Sequence, residues 1–151
     1  MSATSLPQMQ AAVFTRLRAT AAFISACALY DAVPEKPVYP YGVYDEPFET
    51  PDRTFGQGGH DVLFSIVLYS RDGSTTKAGV GASGWKTLDQ LAELVIGALV
   101  DPCDGTEFTP ITVDGHDLVD LEVESNDGQR GQDGISREHT IQFRALLEDA
   151  L

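Results

Sequence analysis

A chain of 151 residues is long enough for one domain with a genuine core and too short for two ordinary ones. Hydrophobic residues make up 42% of it, which excludes global disorder. A formal net charge of −13 disfavours binding nucleic-acid phosphates or anionic lipid through bulk charge, and Lys36, Lys77, Lys86 and the arginines are scattered rather than clustered.

Ser5, Pro7 and Gln8 open the first predicted helix. Ser5 and Gln8 have the spacing of a capping box, and a proline is tolerated in a first turn because its missing donor would be unpaired there. Met9, Ala12, Val13, Leu17, Ala21 and Ile24 then recur at helical spacing, so the helix is expected to end within 26–29. The apolar stretch 19–29 follows Arg16 and Arg18 as an export signal would. It is interrupted by Thr20 and Ser25, is too short to span a bilayer, and continues the helical pattern, so neither leader nor membrane segment is expected. Cys27 and Cys103 are too few and too far apart for a disulfide framework or a metal knuckle, so a reduced chain is expected.

Pro34, Pro37 and Pro40 forbid helix up to Tyr41, and Tyr41, Gly42, Val43 and Tyr44 form a candidate strand. Pro47, Pro51, Gly56, Gly58 and Gly59 mark a loop at about 45–59. The clearest strand is 60–69. Val62, Phe64, Ile66 and Leu68 share one face, and Leu63, Val67 and Tyr69 the other. A strand apolar on both faces is either covered on each side or buries its second face against another subunit.

A second long loop is expected at about 72–85. Thr87 and Gln90 form another capping-box pair, and Leu88, Leu91, Ala92, Val95 and Leu99 make the buried stripe of a second helix. Val119, Leu121 and Val123 alternate with Asp120, Glu122 and Glu124 as a half-buried strand. A polar turn follows at 126–134, and His139, Ile141, Phe143 and Ala145 alternate in the last strand. The order predicts a single α+β domain over 1–151: an antiparallel four-stranded sheet with two helices packed on one face.

Three features could carry chemistry. His60-Asp61, His116-Asp117 and Glu138-His139 suggest a metal site or a metal-dependent hydrolase. Neighbours along a strand point to opposite faces, however, so no pair is a ready chelate. Gly79, Gly81 and Gly84 fit a phosphate-loop spacing without the strand-loop-helix context such a loop needs. Phe48, Phe55 and Trp85 sit in or beside loops, as lids over the core or as anchors for a partner.

Leu29-Tyr30-Asp31-Ala32-Val33-Pro34, then Tyr39-Pro40-Tyr41, then a long strand closing on Tyr69-Ser70-Arg71 form an ordered set. The closing segment Arg137-Glu138-His139, an apolar alternation, and Phe143-Arg144-Ala145 completes it. Together these resemble the tail-terminator or tail-completion family of tailed bacteriophages and gene-transfer particles. The connection 73–85 is longer than that family leads one to expect. The resemblance implies a ring-forming subunit, usually of six copies, without enzymatic activity, cofactor or metal. The ring would cap the tail tube and join it to the neck below the capsid. The implied partners are copies of itself, the tail-tube protein and a neck or head-completion protein. DNA would pass through without sequence-specific binding, and there would be no membrane contact. The implied location is the virion tail at the head–tail interface, after assembly in the host cytoplasm. On this reading Phe48, Arg53, Phe55, Val67, Tyr69, Lys77 and Trp85 are the candidate oligomer and partner contacts. The alternative is a small α+β metal-dependent hydrolase or ligand-binding domain using the scattered histidines.

Overall fold

The computed structural model describes residues 4–52, 58–71, 75–76, 79–80, 85–101, 105, 107–131 and 135–150. Its helices are α1 (Leu6–Ala19), α2 (Ala21–Ala26) and α3 (Trp85–Leu99). Its strands are β1 (Ala28–Tyr30), β2 (Tyr41–Asp52), β3 (Gly59–Arg71), β4 (Thr75–Thr76), β5 (Gly79–Val80), β6 (His116–Arg130) and β7 (Ser136–Asp149). One five-stranded sheet runs β1-β2-β3-β7-β6, and β4 and β5 form a separate two-stranded ribbon. The class is α+β as expected. The four-stranded antiparallel sheet with two helices becomes a five-stranded sheet with three helices, because β1 adds to β2 in parallel and Thr20, in extended conformation, splits the first helix.

The inner face of the sheet is the core. Met9, Val13 and Leu17 of α1, Phe23 of α2, and Leu88, Val95 and Leu99 of α3 pack in one cluster with Val62, Phe64, Ile66 and Leu68 of β3. Ile141, Phe143, Ala145 and Leu147 of β7 complete it, at every second position as a pleated strand requires. Phe64 pairs in register with Phe143, their rings stacked with centroids 5.2 Å apart. Tyr44 stacks on the other side of Phe64 at 5.3 Å, and Phe14 follows at 6.0 Å from Tyr44. A ladder of four rings thus runs through β7, β3, β2 and α1. Gly42 permits the close approach of β2: a Cβ there would stand 3.2 Å from Leu68 Cδ2. Arg16 donates to the Ala98 carbonyl at 2.9 Å, where α3 leaves its last carbonyls unsatisfied, and to the Thr109 carbonyl of the segment beyond it at 2.6 Å.

Four local expectations are corrected. The stretch 45–52 is strand, not loop. A bulge between Asp45 and Phe48 takes Glu46 (φ 48°) and Pro47 out of the ladder, so the proline interrupts nothing. Residues 126–130 extend β6 rather than turning, held by pairing with 137–141 of β7. Another bulge, between Leu118 and Asp120, turns Val119 outward. It is 48% exposed, and Leu118, Leu121 and Val123 pack on the core instead. Neither capping box forms at the predicted place. The Ser5 side chain caps nothing in α1, whose proline removes a donor it could have met, and α3 already begins at Trp85, two residues before Thr87.

Two substitutions test this core. Phe64→Ala removes the middle ring and is expected to cost about 3–5 kcal/mol in urea unfolding. The Tyr44 hydroxyl is buried with no hydrogen-bond partner among the described residues. Tyr44→Phe is therefore expected to leave stability unchanged or raise it by about 1 kcal/mol in the same measurement, since an unsatisfied buried hydroxyl is a cost.

Candidate functional site

The sheet's outer face carries a second apolar group. Tyr41 and Val67 are buried, yet neither belongs to the core cluster that contains the helices. Val67 pairs with Val43, and Tyr41 with Tyr69. The Tyr41 ring stacks on Tyr69 at 4.9 Å, with Tyr39 at 5.1 Å and Tyr30 at 5.6 Å. Burial, then the neighbouring Tyr39 and Tyr69, push the Tyr41 hydroxyl up to about 12, so it stays protonated at any physiological pH. Burial, together with Glu138 and Asp45, raises Tyr69 as well.

The proline-punctuated bend leads into this group. Its Val38 amide donates to the Tyr30 hydroxyl at 3.2 Å, and the Ala28 amide donates to the Pro40 carbonyl at 3.1 Å. Val33 and Val38 in the bend are 45% and 48% exposed, and Phe48, paired with Leu63 past the bulge, is 60% exposed. Farther along the same face Arg144 grips Asp61 with two bonds, at 3.0 and 2.7 Å. The Asp61 carboxylate therefore holds the guanidinium even more firmly protonated than usual.

Of the seven predicted contact residues, Phe48 and Tyr69 fall on this face, and Phe48 is freely accessible. Val67 also lies there, but at 5% exposure it is part of the folded chain's own packing and not an open contact. Arg53, Phe55 and Lys77 lie outside the described residues, as does the side chain of Trp85. The glycine spacing is carried by Gly79 in β5, and 81–84 again lie outside the described residues. Val33, Val38, Tyr30, Tyr39 and Tyr41, not among the seven, belong to the segment that carries the family resemblance.

The histidines divide. His60 and His116 meet at one end of the sheet, rings edge-to-face with centroids 5.2 Å apart. Asp149 lies between them, its Oδ1 3.0 Å from His60 Nε2 and 3.2 Å from His116 Nδ1. His60 Nδ1 stands 2.9 Å from Glu49 Oε1, which accepts from the Ser5 amide at 2.9 Å and from the Ser5 hydroxyl. Burial works to raise the Glu49 carboxyl, and the two Ser5 donors, with Thr4 and His60, together outweigh it and hold the carboxyl low; the bond from His60 holds Asp149 low. His139 is elsewhere, on β7 opposite Leu68, beside Asn126 and 3.5 Å from Asp89. The three histidines therefore do not converge. Two surface grooves, one between α1 and Ile111 and one between Leu99 and Leu121, are lined by no histidine.

A search of curated proteins finds no match. Among solved structures, a chain of "Virion of native gene transfer agent (GTA) particle" aligns with a TM-score of 0.71 and 26% identity, covering 97% of this chain and 99% of that one. The family model "Tail completion protein gp17" matches residues 11–148, which include the proline-rich bend, the tyrosine cluster and every strand of the main sheet in whole or nearly so. By that match the chain belongs to the tail completion protein gp17 family.

Proposed function

We propose that this protein is a structural subunit of a phage-like tail that closes into a ring, of six copies by family resemblance, at the head-proximal end of the tail tube. There it ends tube growth and joins the tail to the neck. The observation that carries this reading is the two-sided burial of β3. One face is filled by α1, α2 and α3, and the other bears an aromatic and aliphatic patch outside that core. The exposed Val38 lies in the bend beside Tyr30, and the exposed Phe48 lies farther along the same outer face, opposite Leu63. Exposed apolar groups on a face that also carries buried tyrosines suit contact with a second copy of the chain. The alignment with a virion chain over nearly the full length of both supports the same conclusion.

The charge fits a ring through which a genome passes. Asp117, Asp120, Glu122, Glu124 and Asp127 all lie exposed along β6, the sheet's edge strand. Such an edge resists pairing with stray strands and offers no grip to phosphate.

Two outcomes are expected. Phe48→Asp leaves the monomer's melting temperature within about 2 °C of wild type, as an exposed site should. It abolishes ring formation on tail-tube protein by electron microscopy. Val67→Asp instead prevents folding, because its site is closed in the single chain. Rings formed by a folded Phe48→Asp variant would count against the reading. In the second test, duplex DNA added to purified subunit or ring at physiological salt shows no retention in a mobility assay, and saturable retention would contradict the proposed passive channel.

A further inference from the structure

We infer that His60, His116 and Asp149 form a binding site for a zinc-class divalent cation, oriented by Glu49, which ties the two ends of the chain to one end of the sheet. One nitrogen from each ring and one carboxylate oxygen lie within 4.8 Å of one another. The two closest spacings, 3.0 and 3.2 Å, are near the edge of about 3.3 Å that a tetrahedron of bonds about 2.0–2.1 Å long requires. Two imidazoles and a carboxylate suit zinc and its first-row neighbours rather than calcium or magnesium.

Proton accounting points the same way. His60 faces Glu49 with Nδ1 and Asp149 with Nε2. Without a cation His60 Nε2 hydrogen-bonds to Asp149; with a cation in that place the ring keeps its proton on Nδ1, toward Glu49, and Nε2 becomes a ligand. His116 Nδ1 is directed at the same Asp149 oxygen; its side chain is only 2% exposed, and that nitrogen makes no hydrogen bond among the described residues. One nitrogen of each ring and the Asp149 oxygen are thus gathered in one place, and a cation among them would give His116 Nδ1 a partner. Glu49 takes the place of the carboxylate that commonly holds the other nitrogen of a metal-bound histidine, and the Ser5 donors fix Glu49 in turn.

The site joins segments distant in sequence: Ser5 before α1, Glu49 in β2, His60 near the start of β3, His116 opening β6 and Asp149 closing β7. The Asp149 amide donates to the Gly58 carbonyl at 2.8 Å and the Ala150 amide to the Gly115 carbonyl at 3.0 Å, which keeps these ends in place.

The test is titration of the chelator-treated full-length protein with Zn²⁺ by calorimetry and thermal melting, and with Co²⁺ by visible absorption. One equivalent is expected to bind and to raise the melting temperature by several degrees. The cobalt spectrum is expected to be that of nitrogen and oxygen ligands, without the sulfur-to-metal band that Cys27 or Cys103 would give. His116→Gln and Asp149→Asn, each shown by circular dichroism to be folded, lose binding. Glu49→Gln weakens it by about 10–100-fold, and His139→Asn leaves it unchanged. Absence of saturable Zn²⁺ binding by the wild-type protein overturns the inference. So does undiminished binding in folded His116→Gln and Asp149→Asn, or a sulfur-to-cobalt band. If His116→Gln does not fold, Asp149→Asn and Glu49→Gln decide.

Discussion

The contact on which the rest depends is the stack of Phe143, Phe64 and Tyr44 across the three central strands, capped by Phe14 from α1. Side chains in a strand alternate between faces, so sliding β3 by one residue against β2 or β7 would carry Phe64 out of the core and bring Leu63 and Ser65 in. Large rings stacked in line forbid that slip more firmly than aliphatic contacts would, since they combine large buried area with a preferred geometry. The placement of both proposed sites follows from this register. It sets Tyr41 against Tyr69 and Val43 against Val67 on the outer face. At the far end of the same strands it sets His60 opposite Leu147, two residues from Asp149.

The molecule thus divides its polar and apolar chemistry by position. Apolar groups remain accessible beside the tyrosine patch and the bend feeding it. Carboxylates crowd the edge strand β6, where an unpaired strand would otherwise invite aggregation. The proposed ring subunit, meeting its copies at one surface and not at another, needs this separation, and 151 residues suffice because the same strands build core, outer face and edge.

Much of this was legible in the sequence. The stripe Leu88, Leu91, Ala92, Val95 and Leu99 specified α3, and the alternation through Phe64 and Phe143 specified β3 and β7. Their periods are produced by burial against one core. The 45–52 portion of β2 was hidden because Pro47 and Pro51 look like loop residues, although a bulge and a free edge accommodate them. The far half of β6 was hidden because its side chains are polar and exposed, and backbone pairing alone defines it. The outer face was half legible: the two-sided apolar pattern of β3 is visible in the sequence, whereas the clustering of Tyr30, Tyr39, Tyr41 and Tyr69 depends on strand pairing. The histidine cluster was not legible. His60 and Asp61 point to opposite faces, Asp61 meeting Arg144 on the other side of the sheet. The carboxylate that joins the two histidines is Asp149, 89 positions from His60, and only strand register brings it there.

The central claim, that the outer face of β3 with its tyrosine-lined bend is where copies of this chain meet, is tested most directly by an electron-microscopy reconstruction of a particle carrying it. The account predicts a closed ring at the junction of tail and neck, with Val38, Phe48 and the Tyr41–Tyr69 stack covered by the adjoining subunit. A ring whose subunits meet through the β6 edge while that face stays open to solvent would contradict it.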